Sequence, residues 1–593
     1  RKFDMEVTLL EYCFYLTFFP LLMAGVLSFA FINAASAEPF NADLSRQYMS
    51  GDKAAYLAGV HTKKGLDCAA CHTTNVISDS ETEINKQCAI CHGSLEQMGT
   101  KTSSQTPNPH KSHIGQMQCT ACHSGHVPSV AYCTNCHDFP TLNKMKQGVS
   151  RLKAKFTDDL SKYEELKPVK IEKTDLLIVG SGAAGFTASM AAREAGVKNL
   201  IMIEKMAVPG GNSQLAAGGM NAAGTKFQKQ AGIEDNPQLM FDDTMKGGKN
   251  VSNPDLVRVL ADKSNESIEW LDKHGATLSQ FFRDEAAKSN LDLRLNTKLV
   301  KLIKGTNGEI TGALVKGKHT GIYQIDAKAV ILATGGIGAN PELIQKLRPD
   351  ISPEVKTSNQ PGSQGDGIIL GENVGAAVVD AKEIQLNPTL LVGSPVIVSE
   401  TVRGAGAVFV NKEGKRFISE LTTRDKTSAA VSKQTGGVAY EIFDQKVRDK
   451  VKQTGAAFEL GLAKEGRTLE ELGKNAGIDP KNLAATIAQY NKYAEAGNDP
   501  EFGRPKISAK VDTPNFYAIE VTPAIHYYMG GLKINPQAKV IDKNGKVIEG
   551  LFAAGEVTGG VHGKNRLGGN SISETITFGR ISGEEAAKRI ANN

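Results

Sequence analysis

With 593 residues the chain exceeds what one hydrophobic core can organise, so several domains are expected. Charged residues at 22% and apolar ones at 40% exclude a disordered chain, and 60 glycines, above the usual share, point to nucleotide-binding turns. The formal net charge of +5, about +6 without residues 1–37, is a small basic excess, and no nucleic-acid partner is expected.

Arg1 and Lys2 precede an uncharged run, Tyr12 to Ile32, that ends in Ala35-Ser36-Ala37 before Glu38. Residues 1–37 therefore read as a signal peptide with an A-x-A cleavage site, which predicts export to the periplasm. The run is longer than a usual signal core, so an uncleaved membrane anchor is the alternative. No comparable apolar run follows Glu38.

Residues 38–140 are expected to form the first domain. Apart from Cys13, the cysteines fall in four pairs, Cys68/Cys71, Cys88/Cys91, Cys119/Cys122 and Cys133/Cys136, each followed at once by a histidine: His72, His92, His123 and His137. Covalent c-type haem needs two thiols to add across its vinyl groups and an adjacent imidazole to ligate the iron. A disulfide framework or zinc knuckles would explain paired cysteines, but not a histidine after every pair. Four haems need four further axial ligands, and His61, His110, His113 and His126 are the histidines left in this stretch. Bis-histidine ligation of all four irons is the simplest assignment and implies low potentials, with Met98 or Met117 as the alternative at one iron. So short a segment cannot bury four porphyrins and also build a large apolar core. Little regular structure is expected there, the haems being the core, and their propionates would bring the net charge to roughly −2.

Residues 141–172 are Lys/Glu-rich with little apolar periodicity and read as a linker. Next come the strand Asp175 to Val179, the turn Gly180-Ser181-Gly182-Ala183-Ala184-Gly185, and a helical stretch to Gly196. A buried strand, a glycine turn and a helix N-terminus facing a pyrophosphate make the dinucleotide fingerprint. Glu204 ends the following strand, where a carboxylate can accept from ribose hydroxyls; a solvated strand-end glutamate is the plainer alternative. The strand Ala329 to Leu332 before Ala333-Thr334-Gly335-Gly336, and the segment Leu551 to Glu556, read as later strands of the same doubly wound sheet. Several separated segments returning to one nucleotide favour FAD over NAD. The expected fold is multi-domain: a multihaem cytochrome c domain, then an α/β, Rossmann-like FAD-binding domain.

Together with the four C-x-x-C-H motifs, Gly210-Gly211-Asn212-Ser213, Ala216-Ala217-Gly218-Gly219-Met220-Asn221-Ala222 and Asn565-Arg566-Leu567-Gly568-Gly569-Asn570 carry a resemblance. From about Cys68 to its C-terminus the chain resembles the periplasmic tetrahaem flavocytochrome c fumarate reductases. The resemblance implies non-covalent FAD between a flavin domain, residues 173–384 and 524–593, and an inserted α+β clamp domain, residues 385–523. It implies FAD contacts at Gly180, Gly182, Gly185, Glu204, Asn212, Ser213, Ala217, Gly218, Val300, Tyr527, Glu556, Ser571 and Ile572.

Reducing an activated C=C bond takes a hydride at one carbon, a proton at the other, and cations to hold the carboxylate. From residue chemistry alone His526 is the natural acid, since imidazole titrates near neutral pH. The resemblance instead implies that Arg424, in Thr422-Thr423-Arg424-Asp425-Lys426, donates the proton, fed through Glu400 and Arg403. It makes His526 and Arg566 the grip on one substrate carboxylate, with Glu400 and Gly569 also at the substrate, and Arg suits that fork geometry. His562 and His319 carry no motif role and read as structural.

Two departures from the family pattern stand out. Asn387, in Leu386-Asn387-Pro388-Thr389-Leu390, occupies the family's histidine position for the second carboxylate, and Ser399 replaces a neighbouring threonine. Asn donates hydrogen bonds but brings no charge, so a dicarboxylate is held less well at that end. After Thr277 the chain lacks about two dozen residues of the family pattern.

The leading expectation is a fumarate reductase of anaerobic respiration, fed by a membrane quinol dehydrogenase cytochrome and acting as a monomer. Reduction of another enoate, such as methacrylate, acrylate or urocanate, is the alternative raised by Asn387 and Ser399. A non-catalytic periplasmic electron carrier is the alternative of a different class, raised by the shortened segment.

Overall fold

The computed structural model describes residues 56–66, 70–72, 82–112, 117–135, 167–216, 218–275, 291–505, 507 and 509–592. The signal-like segment, Cys68, His113, Cys136, His137, Ala217 and the stretch after Thr277 lie outside the described residues.

The N-terminal region is held by short helices, Leu57–Thr62, Thr82–His92 and Leu95–Lys101, and two 3₁₀ turns, Cys119–Ala121 and Tyr132–Asn135. Ser94 and Gln97 form a reciprocal capping box that starts the third helix. Side-chain burial is sparse: the helix Thr82–His92 buries none of its residues, and Ile90 is 72% exposed. A small cluster of Ala121 and Tyr132 with Met206, Ala207 and Val208 joins this region to the larger one.

The larger region begins with strand β1 (Ile171–Val179), which starts inside the stretch read as linker. It leads through the glycine turn into helix α1 (Ala183–Glu194) and strand β2 (Leu200–Ile203). Strands β3 (Asp292–Arg294) and β4 (Gly321–Leu332) complete the first pass. Parallel pairing runs β3–β2–β1–β4, and the late strand Val547–Ala553 joins the far side of β4, also parallel. Leu176, Leu177 and Ile178 of β1 are wholly buried, each worth about 1.5–3 kcal/mol of transfer free energy. The strand can be apolar on both sides because helices cover both faces of a parallel sheet. At the turn, a Cβ on Gly185 would lie 2.0 Å from the Gly180 carbonyl oxygen, so only glycine lets α1 start this close to the strand.

The second sheet belongs to the clamp. Strands β5 (Ile384–Leu391) and β6 (Val408–Val410) precede β7 (Ala439–Asp444) and the long β8 (Phe516–Tyr528). The order β6–β7–β8 is antiparallel, and β5 also pairs antiparallel with the C-terminal half of β8. β8 therefore runs continuously through the clamp sheet into the flavin side, and the expected boundaries at 384/385 and 523/524 fall inside paired strands. Apolar clusters cover both faces of the clamp sheet. Its buried polar content includes an ion cluster in which Arg416 meets Glu420 at 2.9 Å and Asp499 at 2.8 Å, and Arg504 meets Glu420 at 3.1 Å.

Candidate active site

Six of the eight histidines expected as iron ligands are described, and they form three pairs. His72 and His126 have ring centroids 5.7 Å apart with planes at 6°, His110 and His123 are 6.2 Å apart at 10°, and His61 and His92 are 6.1 Å apart at 48°. Imidazoles on opposite sides of a metal, each with a metal–nitrogen bond near 2.0–2.1 Å, hold their ring centres about 6 Å apart. Each pair joins one C-x-x-C-H histidine to one outside the motifs, so the donor set fits bis-histidine haem at these three positions. Burial lowers the pKa of His61, His72, His110, His123 and His126, favouring the neutral, ligating form. Met117 packs instead against the small cluster at Ala121 and Tyr132.

Of the thiols that the sequence assigns to haem attachment, Cys88, Cys91, Cys119 and Cys133 are free thiols. Cys71 is half-buried and stands close enough to Cys88 to act on it: the Cys88 thiol is pushed up by its hydrogen bond with Cys119, then by burial, and more weakly by Cys71. Three of the four motifs thus bring a thiol to one place. Cys122 differs from the simple expectation of an attachment thiol alone, because its half-buried sulfur also accepts from the Tyr132 amide at 3.2 Å and packs on the Ala121 and Tyr132 cluster.

At the carboxyl ends of β1, β2 and β4 lies a cleft open to solvent. Gly180, Gly182, Glu204, Asn212, Ser213 and Glu556 line it, as the sequence predicts. Glu204 is fixed by the Ser181 amide at 3.0 Å and hydroxyl at 2.8 Å and by the Met206 amide at 2.9 Å. Ser213 Oγ accepts from the Ala183 amide at the start of α1. Burial pushes the Glu556 carboxyl up to about 7, against the Tyr528 amide and the Asn212 side chain that donate to it. A pocket with a glycine turn at one end and an amide-rich wall fits FAD.

The remaining predicted cofactor positions among the described residues do not line this cavity. Gly185 supports the turn from beneath, and Gly218 stands in a left-handed turn at φ 82°. Val300 packs on Leu314, whereas its neighbours Thr297, Lys298 and Leu299 reach the cavity. Ser571 accepts from Arg566 Nη1 at 3.2 Å, and Ile572 packs on the apolar face under α1. The Tyr527 ring lies beneath the Arg566 guanidinium at 4.5 Å, with its hydroxyl 3.4 Å from His562 Nε2 and 3.5 Å from Glu574.

Beside the cavity the catalytic candidates converge. Helix α2 (Glu400–Gly404), N-capped by the Ser399 hydroxyl, presents Glu400 and Arg403, and helix α3 (Arg424–Ser432) begins with Arg424. Arg424 grips Glu400 in a fork, Nε to Oε1 at 2.6 Å and Nη2 to Oε2 at 2.9 Å. Burial acts against the Glu400 anion, yet the bonds and charge of Arg424, with Arg403 and Arg566 behind it, bring it down to about 2. Arg403, wholly buried, stands 3.8 Å from Glu400 and 3.4 Å from Glu441. Burial lowers its proton affinity, with Arg424 adding to the effect.

Arg566 reaches the same place on the loop before helix α4 (Asn570–Ala591). Burial and the neighbouring Arg424 bring it down to about 9. The loop passes so close that a Cβ on Gly568 would stand 2.6 Å from Glu400 Oε2, while Gly569 caps α4 at φ 91°. His526 donates to or accepts from the Ser358 hydroxyl through Nδ1 at 2.8 Å. Burial and the two arginines, Arg424 and Arg566, hold its pKa well below the ordinary value. His526 is therefore neutral at pH 7 and cannot be the standing proton source that residue chemistry nominated; it is a hydrogen-bonding group.

Asn387 is buried on β5 opposite Ala524, its Oδ1 accepting from the Thr389 amide at 3.0 Å and hydroxyl at 2.9 Å. Its amide NH₂ is the group left to donate. His562, read as structural, is buried and brought down to about 3 by burial and Arg566.

Three residues here escaped the sequence reading. Gln385 links the arginines: its Oε1 accepts from Arg424 Nη1 at 3.0 Å and its Nε2 donates to the Arg566 carbonyl at 2.8 Å. Arg504 donates to the Arg403 carbonyl at 2.6 Å and so seats α2. Glu441 faces Arg403 from β7, and a glutamate inside the apolar run Ala439–Asp444 is the one sequence signal that marks it.

Comparison with known proteins agrees with this division. The FAD binding domain family matches residues 175–287 and 280–572, and the cytochrome c3 family matches residues 60–138. The chain thus binds FAD and c-type haem. Over 571 residues it is 44% identical to a fumarate reductase (cytochrome) of Shewanella frigidimarina, covering 91% of this chain and 100% of that one. It is 34% identical over 504 residues to a urocanate reductase of Eggerthella lenta, covering 78% of this chain and 81% of the relative. The open conformation of a flavocytochrome c3 fumarate reductase superposes with a TM-score of 0.76 at 40% identity, over 90% of this chain and 99% of that one. The two segments of the FAD-domain match meet at residues 280–287, close to the departure after Thr277.

Proposed function

The chain belongs to the flavocytochrome c fumarate reductase family, and on that footing we propose that it is a terminal reductase of anaerobic respiration that reduces fumarate to succinate. In the periplasm a monomeric enzyme takes its electrons from a membrane quinol dehydrogenase cytochrome and passes them through four haems to FAD. When bound, FAD supplies the hydride and the haems supply the electrons that replace it.

The observation that carries the reading is the convergence of Arg424, Arg566, Glu400 and neutral His526 beside the FAD cavity. Arg566 and the His526 ring hold one carboxylate of the substrate and draw charge away from the double bond. Arg424, aligned by its two bonds to Glu400 and a third to Gln385, donates a proton to the carbon opposite the hydride. Glu400 and Arg403 return that proton. Buried walls on β5 and β8 exclude water.

A second reading is favoured by Asn387, a buried uncharged donor where a dicarboxylate would want a cation: the acceptor is another enoate, with similarity to a urocanate reductase in support. The test is oxidation of reduced methyl viologen by the holoprotein with fumarate, methacrylate, acrylate and urocanate offered separately. Turnover led by fumarate supports the first reading, preference for another acid supports the second, and no turnover on any defeats both.

A further inference from the structure

On that reading of the site, we propose that Glu441 is a buried proton store, a positioning residue that refills the Arg403–Glu400–Arg424 line from its inner end while substrate closes the outer one. Four alternating groups stand in a row: Arg424 is 2.6 Å from Glu400, Glu400 is 3.8 Å from Arg403, and Arg403 is 3.4 Å from Glu441. The two carboxyl groups of the row differ in exposure. The Glu400 side chain is 40% exposed, so solvent reaches it when the site is empty, whereas Glu441 is wholly buried.

The surroundings of Glu441 are those of a carboxyl that carries its own proton. On β7 its strand neighbours across the sheet are Phe409 of β6 and Ile519 of β8, both wholly buried. The charged groups that act on it, Arg403 and Glu400, both come from α2. Neither of its oxygens has a hydrogen-bond partner, and the Nε and Nη2 of Arg403 that face the carboxylates are likewise without one. Other buried carboxylates of the clamp are saturated: Glu420 is held by Arg416 and Arg504, and Asp444 accepts from the amides of Val447, Asp512 and Thr513. A counter-ion kept only for stability would be bonded like these, because an unsatisfied buried anion is far costlier than a neutral carboxyl. Burial pushes Glu441 up to about 8, against the pull of Arg403, so it is protonated at neutral pH.

The proton balance closes on these residues. Arg424 loses one N–H proton to the substrate carbon, and Glu400 returns one to it after taking it from Arg403. Arg403 recovers its own from the Glu441 O–H, leaving Glu441 an anion beside a restored Arg403 cation. After product leaves, a solvent proton enters through Glu400 and passes inward to Glu441. No electron moves in these steps; the hydride comes with the reduction itself.

The test compares wild-type holoenzyme with Glu441→Gln and Glu441→Asp, measuring kcat and KM for fumarate from pH 6 to pH 10 together with FAD content and haem reduction. For Glu441→Gln, kcat should fall roughly 10- to 100-fold with KM nearly unchanged, since Gln holds no transferable proton. Glu441→Asp should restore part of the rate, and wild-type kcat should decline above about pH 8 with that limb absent from Glu441→Gln. A Glu441→Gln enzyme with wild-type kcat and the same alkaline limb overturns the store alone. If Glu441→Gln fails to bind FAD, the wild-type profile decides, and a kcat flat from pH 7 to pH 10 overturns it. A wild-type enzyme that reduces no enoate removes the reading beneath it as well.

Discussion

The haem region and the clamp solve burial in opposite ways. Around the paired histidines the polypeptide supplies almost no core: Ala121, Ala131 and Tyr132 are the buried apolar side chains among its described residues, and the helix Thr82–His92 buries nothing. The clamp fills both faces of its sheet with side chains and buries among them the charged groups Arg403, Arg416, Glu420, Asp444, Asp499 and Arg504. The difference teaches where specificity is stored. In the first region covalent haem attachment and iron ligation do the organising, so local motifs suffice. In the second, a charge is tolerable only where several distant segments meet it, and burial lowers the proton affinity of Arg403 and Arg566.

The sharpest way to break the comparison is Arg424→Ala. Removing the fork on Glu400 should lower fumarate kcat by about 10²- to 10⁴-fold, while haem and FAD content stay unchanged. Retained turnover would take the proton from elsewhere.

Next in size is Glu420→Gln, which leaves Arg416 and Arg504 under-compensated in the clamp. Breaking a buried pair costs about 3–5 kcal/mol, so the denaturant midpoint of the flavin and clamp signal should drop while the haem spectrum is untouched. Loss of haem signal in step with it would show that the two regions unfold as one.

His126→Ala is the converse, expected to alter the visible spectrum and raise the potential of one haem without moving flavin-domain stability. A smaller effect is read in pH. Arg566 is a cation below about 9 and loses its charge as pH rises through that value, so KM for fumarate should climb there, separate from the kcat limb assigned to Glu441. Smallest is Ile178→Val in β1, costing about 0.5–1.5 kcal/mol in thermal stability and nothing in activity.

The parts of the site legible in the sequence are those whose chemistry is local. C-x-x-C-H declares itself because thiols and imidazole must be adjacent to hold one porphyrin, and Gly180 to Gly185 because a turn this tight must be contiguous. Arg424, Glu400, Arg403, His526 and Arg566 were legible through motifs of the family they resemble, and they do meet, although His526 turned out neutral rather than acidic. Gln385, Arg504 and Glu441 were hidden because each is one residue in an ordinary strand or loop, with a role that exists only across the fold. The packing of Cys122 under Tyr132 was hidden for the same reason.

By itself, then, the sequence determined the cofactors and the order of the domains, since covalent spacing, glycine turns and apolar strands act over short stretches of chain. Only the tertiary structure decided which histidine faces which, that β8 runs unbroken from clamp to flavin side, and that Arg403 stands between Glu400 and Glu441. The physical reason is range. Pairing across an iron, burial of a guanidinium and the shift of a carboxyl all depend on neighbours tens to hundreds of residues away, and those are chosen by packing.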